Sequence, residues 1–379
     1  MFQSIVSFIA LAFVLPNVLF AQDSKMPKSS EMPKAWSQFR LTADNAGCFG
    51  QTEIAEPKLK WKYSTGGIIE SSSAIVDGVA YIGGHAKKMH AIDCETGKLK
   101  WAFDVGGWVR ASPSVVDGLV FFGADDNKFY ALKAETGEKA WDFALGDGGE
   151  QSTPLIDDGV VYFGAFDNFV YALDAKTGAQ KWKFDAGASM LSSPALAGGL
   201  IFIATYNGEL FGIHAKDGTK AWSVKMNERP MYSSAAVDDK NLYITSYDQH
   251  IYAFKQSSGE MVWKHKTSGD IFSSPAVVDE VVYVGSNDKN LYALAADDGK
   301  LVWKRDLKGA VFSSPTITEK SIYIGSSDGN VYALERKSGE VRWNYLVKQG
   351  VNVWTSVSAV NGVLYFGSHD GDLIALEEK

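Results

Sequence analysis

The stretch from Ser273 to Arg305, SSPAVVDEVVYVGSNDKNLYALAADDGKLVWKR, decides the fold. It reads as an apolar run, a two-residue acidic turn, the alternating run VVYVGS, an Asn-Asp turn, NLYALAA, an Asp-Gly turn and KLVWKR. Gly, Asn and Asp tolerate the positive φ that tight hairpins require, so the stretch predicts four antiparallel strands, A to D, joined by hairpins. The phrase recurs along the chain. Its tryptophan returns as Trp61, Trp101, Trp141, Trp182, Trp222, Trp263, Trp303 and Trp343, at steps of 40 or 41 residues. In other repeats the A to B turn is Asp77-Gly78, Asp117-Gly118 or Asn361-Gly362, a strong hairpin signal.

A period of roughly 40 to 50 residues built from short strands is the mark of a propeller blade. The expected fold is therefore all-β: an eight-bladed β-propeller of four-stranded antiparallel blades. Trp61 alone lacks the preceding phrase, while the chain ends in Ala375, Leu376, Glu377, Glu378 and Lys379, the front half of that phrase with no tryptophan after it. Blade eight is thus expected to take strands A to C from the C-terminus and strand D, with Trp61, from the N-terminus. Such closure removes the open edge that invites aggregation. The eight tryptophans are expected to be structural, as buried spacers between blades.

Three segments follow: 1–21, 22–56 and 57–379. Residues 4–21, SIVSFIALAFVLPNVLFA, resemble a secretory signal peptide cleaved after Ala21, although the n-region has no Lys or Arg and Leu19 is large for its position. The alternative is an uncleaved anchor, short for spanning and broken by Pro16. The chain is expected to be exported, to the periplasm or the extracellular space, with no transmembrane domain after cleavage. Residues 22–56 read as a linker and a strap, with Trp36, Phe39 and Arg40 expected to pack onto the ring. Residues 57–379 form the propeller. The two cysteines, Cys48 and Cys94, invite a disulfide in an exported protein. Cys94, however, takes a repeat position filled elsewhere by Ala134, Ala175, Ala215 and Ala296, which suits a small buried thiol. Both readings stand.

A net charge of −8 argues against a nucleic-acid partner, whose phosphates demand a basic surface. There is no basic run, no phosphate-binding glycine loop and no CxxC pair. The protein is expected to be a monomer.

The phrase A-x-D-x-x-T-G-x-x-x-W, nearly whole at Ala91 to Trp101 and at Ala172 to Trp182, resembles the tryptophan-docking motif of the pyrroloquinoline quinone (PQQ) propeller superfamily. So do Ser192-Ser193-Pro194, Ser273-Ser274-Pro275 and Ser313-Ser314-Pro315. The resemblance covers 57–379 and implies the propeller fold; it says little about chemistry. Members include quinoprotein dehydrogenases, which hold PQQ with calcium against a disulfide of adjacent cysteines, and non-catalytic BamB-type propellers. Here Cys48 and Cys94 are not adjacent, and the even spacing leaves no room for the dehydrogenases' insertions. BamB-type propellers are lipoproteins, and a lipid-bearing cysteine is missing. Free-standing exported PQQ-like propellers with a W-x-Q-F-R strap are the most similar, through Trp36 to Arg40. No cofactor is predicted on this branch.

With the tryptophans assigned to packing, a site is expected where the repeat breaks, at the channel mouth formed by the D to A and B to C loops. One column, at the start of strand A, reads Glu70, Arg110, Gln151, Leu191, Tyr232, Phe272, Phe312 and Trp354. A second, two residues past the strand B glycine position, reads His85, Asp125, Phe166, Tyr206, Tyr247, Asn287, Ser327 and His369. Together they suggest a polar sector (His369, His85, Glu70, Arg110, Asp125) beside an aromatic shelf (Phe166, Tyr206, Tyr232, Tyr247, Phe272, Phe312), with Trp354 beside the polar sector. Apolar area for affinity with a few charges for orientation is what a small-molecule or peptide pocket needs. His85 and His369 lack a third ligand of diagnostic spacing, so no metal is predicted, and no catalytic residue is singled out. The Asp of the S-x-D-G turns, such as Asp328 and Asp370, is expected to cap its own hairpin. The leading functional expectation is a binding or scaffold module of the cell envelope, its partner an envelope protein or a small-molecule or peptide ligand. The alternative is a small PQQ-dependent oxidoreductase with calcium, using Glu70 or Asp125 as base.

Overall fold

A computed structural model describes residues 52–379 apart from 147, 150, 151, 228 and 230. The 1–21 segment, most of 22–56 with Trp36, Phe39, Arg40 and Cys48, and Gln151 lie outside the described residues. The chain forms eight four-stranded antiparallel sheets arranged as blades. Blade one runs through strands A (Ala74–Val76), B (Val79–Ile82), C (Lys88–Asp93) and D (Leu99–Asp104). The A to B hairpin turns on Asp77 and Gly78, at φ 50° and 73°, as the Asp-Gly pair predicts. Among the described residues no helix is long and apolar enough to cross a membrane.

The ring closes between the chain ends. Blade eight takes strands A (Ser358–Val360), B (Val363–Gly367) and C (Asp372–Glu378) from the C-terminus. Its strand D is Pro57–Ser64, paired antiparallel from Pro57 with Glu378 to Ser64 with Asp372.

The core lies between blades. Tyr243, Ala253 and Trp263 of blade five pack with Val277, Val284 and Tyr292 of blade six in one buried cluster, and blades six and seven share another. The alternating strands supply this directly, because each blade buries both faces against its neighbours. A bulge just before each strand D tryptophan, for example between Ala172 and Leu173 opposite Trp182 and Gln180, breaks the C to D register. Bulges re-aim side chains. The indole then reaches the next blade, where Trp182 Nε1 donates to Ala215 O at 2.9 Å and Trp263 Nε1 to Ala296 O at 2.9 Å. A glycine in the next blade's C to D turn accepts the ring: a Cβ on Gly259 would stand 2.6 Å from Trp222. Trp61, Trp182 and Trp263 are buried, whereas Trp101, Trp141, Trp222, Trp303 and Trp343 are only half-buried. Strand D is the outermost strand, so an indole docked there keeps one edge near solvent.

Cys94 packs beside the Trp61 indole, whose Nε1 donates to the Cys94 carbonyl at 2.7 Å. Its thiol is buried, and burial pushes it up to about 11.

Candidate functional site

Strand A of each blade lines the channel, with successive A strands adjoining. The two serines of each Ser-Ser-Pro phrase divide the work of holding it. The first ties strand A to strand B of its own blade, as when Gly285 N donates to Ser273 Oγ at 3.1 Å and Gly325 N to Ser313 Oγ at 3.2 Å. The second ties blade to blade: Ser193 N donates to Ser234 Oγ, Ser234 N to Ser274 Oγ and Ser274 N to Ser314 Oγ, all at 2.9–3.0 Å. Ser72, Ser112 and Ser356 join the same belt. Each hydroxyl oxygen accepts a backbone N–H and keeps its own proton to donate.

Above this belt opens a cavity of about 500 Å³. Glu70, Arg110, Leu191, Tyr232, Phe272, Phe312 and Trp354 of the first column line it, together with Phe166 and Tyr206 of the second. The volume falls within the range of roughly 300–1,000 Å³ that small-molecule sites occupy. Gln151 lies outside the described residues.

The two columns pair within a blade, fifteen residues apart. In blade one His85 Nε2 lies 3.2 Å from Glu70 Oε2, and in blade two Arg110 Nη2 and Nε donate to Asp125 Oδ2 at 2.6 and 3.1 Å. In blade five Tyr247 packs against Tyr232 and, edge-on, against Phe272. Burial, with the nearby Asp270 charge, pushes the Tyr247 hydroxyl up. In blade eight His369 meets Trp354 edge-on at 4.1 Å, and burial holds its imidazole below the usual histidine value. Asn287 and Ser327 stand in register with phenylalanines 272 and 312, which offer no hydrogen bond. Asn287 Oδ1, Ser327 Oγ, Trp354 Nε1 and His369 Nε2 are buried with no partner among the described residues.

The aromatic shelf is continuous. Ring contacts run from Phe166 to Tyr206, Tyr232, Phe272, Phe312 and Trp354, the last three steps at 4.9, 4.9 and 4.5 Å. Tyr206 and Tyr232 also bring their hydroxyls to 3.3 Å.

Trp108 was not expected here. It lies in the D to A loop of blade one, 40% exposed, stacked on His85 at 4.3 Å with its ring within 5.2 Å of the Arg110 guanidinium. Its signal in the sequence is that it stands outside the eightfold tryptophan rhythm. The turn aspartates do more than cap. Asp328 Oδ1 accepts Asn330 N at 3.0 Å, while its Oδ2 accepts the Tyr332 hydroxyl at 2.5 Å.

Calcium takes roughly six to eight oxygen ligands. At the mouth Glu70 is engaged by His85 and Asp125 by Arg110, and among the described residues no group of three His, Cys, Asp or Glu side chains could hold a metal. The carboxylate set does not fit a calcium-held quinone.

The fold and mouth define a class: a closed propeller carrying a ligand-sized, aromatic-walled cavity on its channel axis. Residues 114–320 match the family described as "Beta-alanine-activating enzyme, beta-propeller", and residues 35–152 match the one described as "Outer membrane protein assembly factor BamB". The chain belongs to the first of these propeller families, within the PQQ-like superfamily. No curated protein matches it. BamB from Moraxella catarrhalis is similar in structure, with a TM-score of 0.72 at 19% identity over 86% of this chain and 98% of that one. A europium-containing methanol dehydrogenase superposes with a TM-score of 0.76 at 13% identity, over 92% of this chain and 99% of that one. A quinohemoprotein alcohol dehydrogenase from Comamonas testosteroni does so with 0.77 at 14%, over 92% and 81%. At these identities the likeness shows the fold alone.

Proposed function

We propose that this chain is an exported, non-catalytic binding propeller of the cell envelope, whose ligand or partner docks at the channel mouth. The observation that carries the reading is the cavity itself: a continuous aromatic wall from Phe166 to Trp354 facing the Glu70 and Arg110 sector. An apolar wall with a few placed polar groups is the general form of a binding site. Export rests on the apolar segment 4–21 and on the match of 35–152 to a family described as an outer membrane assembly factor.

The PQQ-dependent oxidoreductase draws no support from the carboxylates, each of which already has a partner. The test is photocrosslinking from position 232 in intact cells, followed by recovery from the envelope fraction. A specific adduct that Phe312→Ala abolishes is the expected result. A dye-linked alcohol oxidation that appears on adding PQQ with calcium would instead establish the enzyme.

A further inference from the structure

The chemistry of the mouth narrows what it takes, an inference that rests on the binding reading above. Glu70 and Arg110 are the only charged side chains lining the cavity among the described residues, and each is matched by a partner of its own blade. Arg110 is balanced by Asp125 and Glu70 is already hydrogen-bonded to His85, so an ionic ligand would have to displace a formed contact. The aromatic faces ask for a ligand with an apolar side. The belt beneath them offers hydroxyls that each accept one backbone N–H and keep a proton to donate, so it suits a ligand that carries hydrogen-bond acceptors.

An extended peptide meets the mouth less well. Strand addition needs free backbone N–H groups at a sheet edge. At the channel those of Ser72, Ser193, Ser234 and Ser274 are already donated to neighbouring hydroxyls. A pyranose ring answers each demand: its C–H face is apolar, its edge carries hydroxyls that both donate and accept, and it bears no charge. Trp108, exposed and stacked on His85 beside the cavity-lining Arg110, adds a second flat ring next to the polar sector.

We propose that the mouth binds a neutral saccharide, with pyranose faces on Trp354, Phe312 and Trp108 and ring hydroxyls on the serine belt and the Glu70 and Arg110 sector.

The test titrates purified full-length protein with maltohexaose, cellohexaose and chitohexaose to about 10 mM, following tryptophan fluorescence, so that any Kd at or below the low-millimolar range is seen. At least one is expected to bind saturably, about tenfold more weakly with Trp354→Ala, with Trp354→Phe recovering most of the loss. The Trp354 ring also packs against its neighbours, so Trp108→Ala at the exposed rim is the second variant. It is expected to weaken binding about threefold and to leave the melting temperature in place. Saccharide binding that neither variant changes overturns the proposal, because the sugar then sits elsewhere. Two further probes separate the inference from the reading beneath it: a capped neutral peptide containing Phe and Trp, and the aromatic anion 8-anilinonaphthalene-1-sulfonate. If either binds with dependence on Trp354 while all three saccharides fail, the ligand class is wrong and mouth binding stands. If no probe binds and position 232 yields no crosslink, the binding reading falls with it.

Discussion

Trp343 Nε1 donates to the carbonyl oxygen of Ile54 at 2.7 Å, across 289 residues of chain. In the other blades the acceptor is a residue of the next C to D turn, such as Ala215 or Ala296. Blade eight has no such turn, because its C and D strands come from opposite ends of the chain. Residues 52–56 take its place. The Glu53 carboxylate accepts from Thr318 Oγ1, Lys320 N and Ser321 Oγ at 2.7, 2.8 and 2.5 Å, and the Tyr323 hydroxyl donates to Thr52 O at 3.1 Å. Hydrogen bonds to a charged group contribute about 1.5–3 kcal/mol each when measured singly. Glu53→Ala should destabilise the ring by about 2–3 kcal/mol in urea denaturation, and Glu53→Gln by less.

Trp222 makes the same dock in blade four, donating to Gln256 O at 2.8 Å. Trp222→Ala removes the ring and its hydrogen bond and should cost about 3–5 kcal/mol. Gly259 sits beneath it at φ +70°, where a Cβ would approach the ring to 2.6 Å. Gly259→Ala should cost about 1–2 kcal/mol from the left-handed backbone and about 1–3 kcal/mol from overpacking. In the double variant the overpacking disappears, so the two costs should sum to less than their separate values in thermal or urea unfolding.

The ring was legible because it is written locally. Asp77-Gly78 and Trp182 each act within one repeat, and eight copies leave little choice of fold. The mouth was legible only as a set of positions. The two columns identify Glu70, Arg110 and Trp354, but which side chains bond depends on reach across fifteen residues of hairpin. Arg110 is long enough to grip Asp125, whereas Phe272 leaves Asn287 Oδ1 without a partner among the described residues. Trp108 escaped because both columns follow strand starts and ends, and it stands in the loop between blades. The bulge before each tryptophan also went unseen, since Lys181 and Trp182 look like ordinary alternation until their partners show the slip.

His90 gives the fold a dependence on pH. It is 4% exposed in strand C of blade one, with Nδ1 3.2 Å from the Tyr63 hydroxyl and Nε2 without a partner among the described residues. Burial, with the nearby Lys88 charge, lowers it from 6.5 to about 4. The folded state thus resists protonation that the unfolded chain accepts. The contribution is fully present above the unfolded value and is lost as pH falls from about 6.5 to about 4, by about 3 kcal/mol in all. Denaturation curves should show this decline, and His90→Leu should flatten it within that window.

Asp125 tests whether charge pairing tunes the mouth. Arg110 donates to it twice, so Asp125→Asn leaves the guanidinium in place while removing the balancing charge. Arg110 and Asp125 are partly open to solvent, so the gained potential is screened and is worth about 1 kcal/mol, or roughly a fivefold change in affinity for an anion. The variant should bind 8-anilinonaphthalene-1-sulfonate about fivefold more tightly than the native protein at low salt. At about 0.5 M salt, where the screening length falls below 5 Å, most of the gain should vanish. Arg110→Gln should shift affinity the other way. An unchanged fluorescence titration in both variants would place the anion outside the mouth and leave the pair a purely structural clasp between the start of strand A and the end of strand B in blade two.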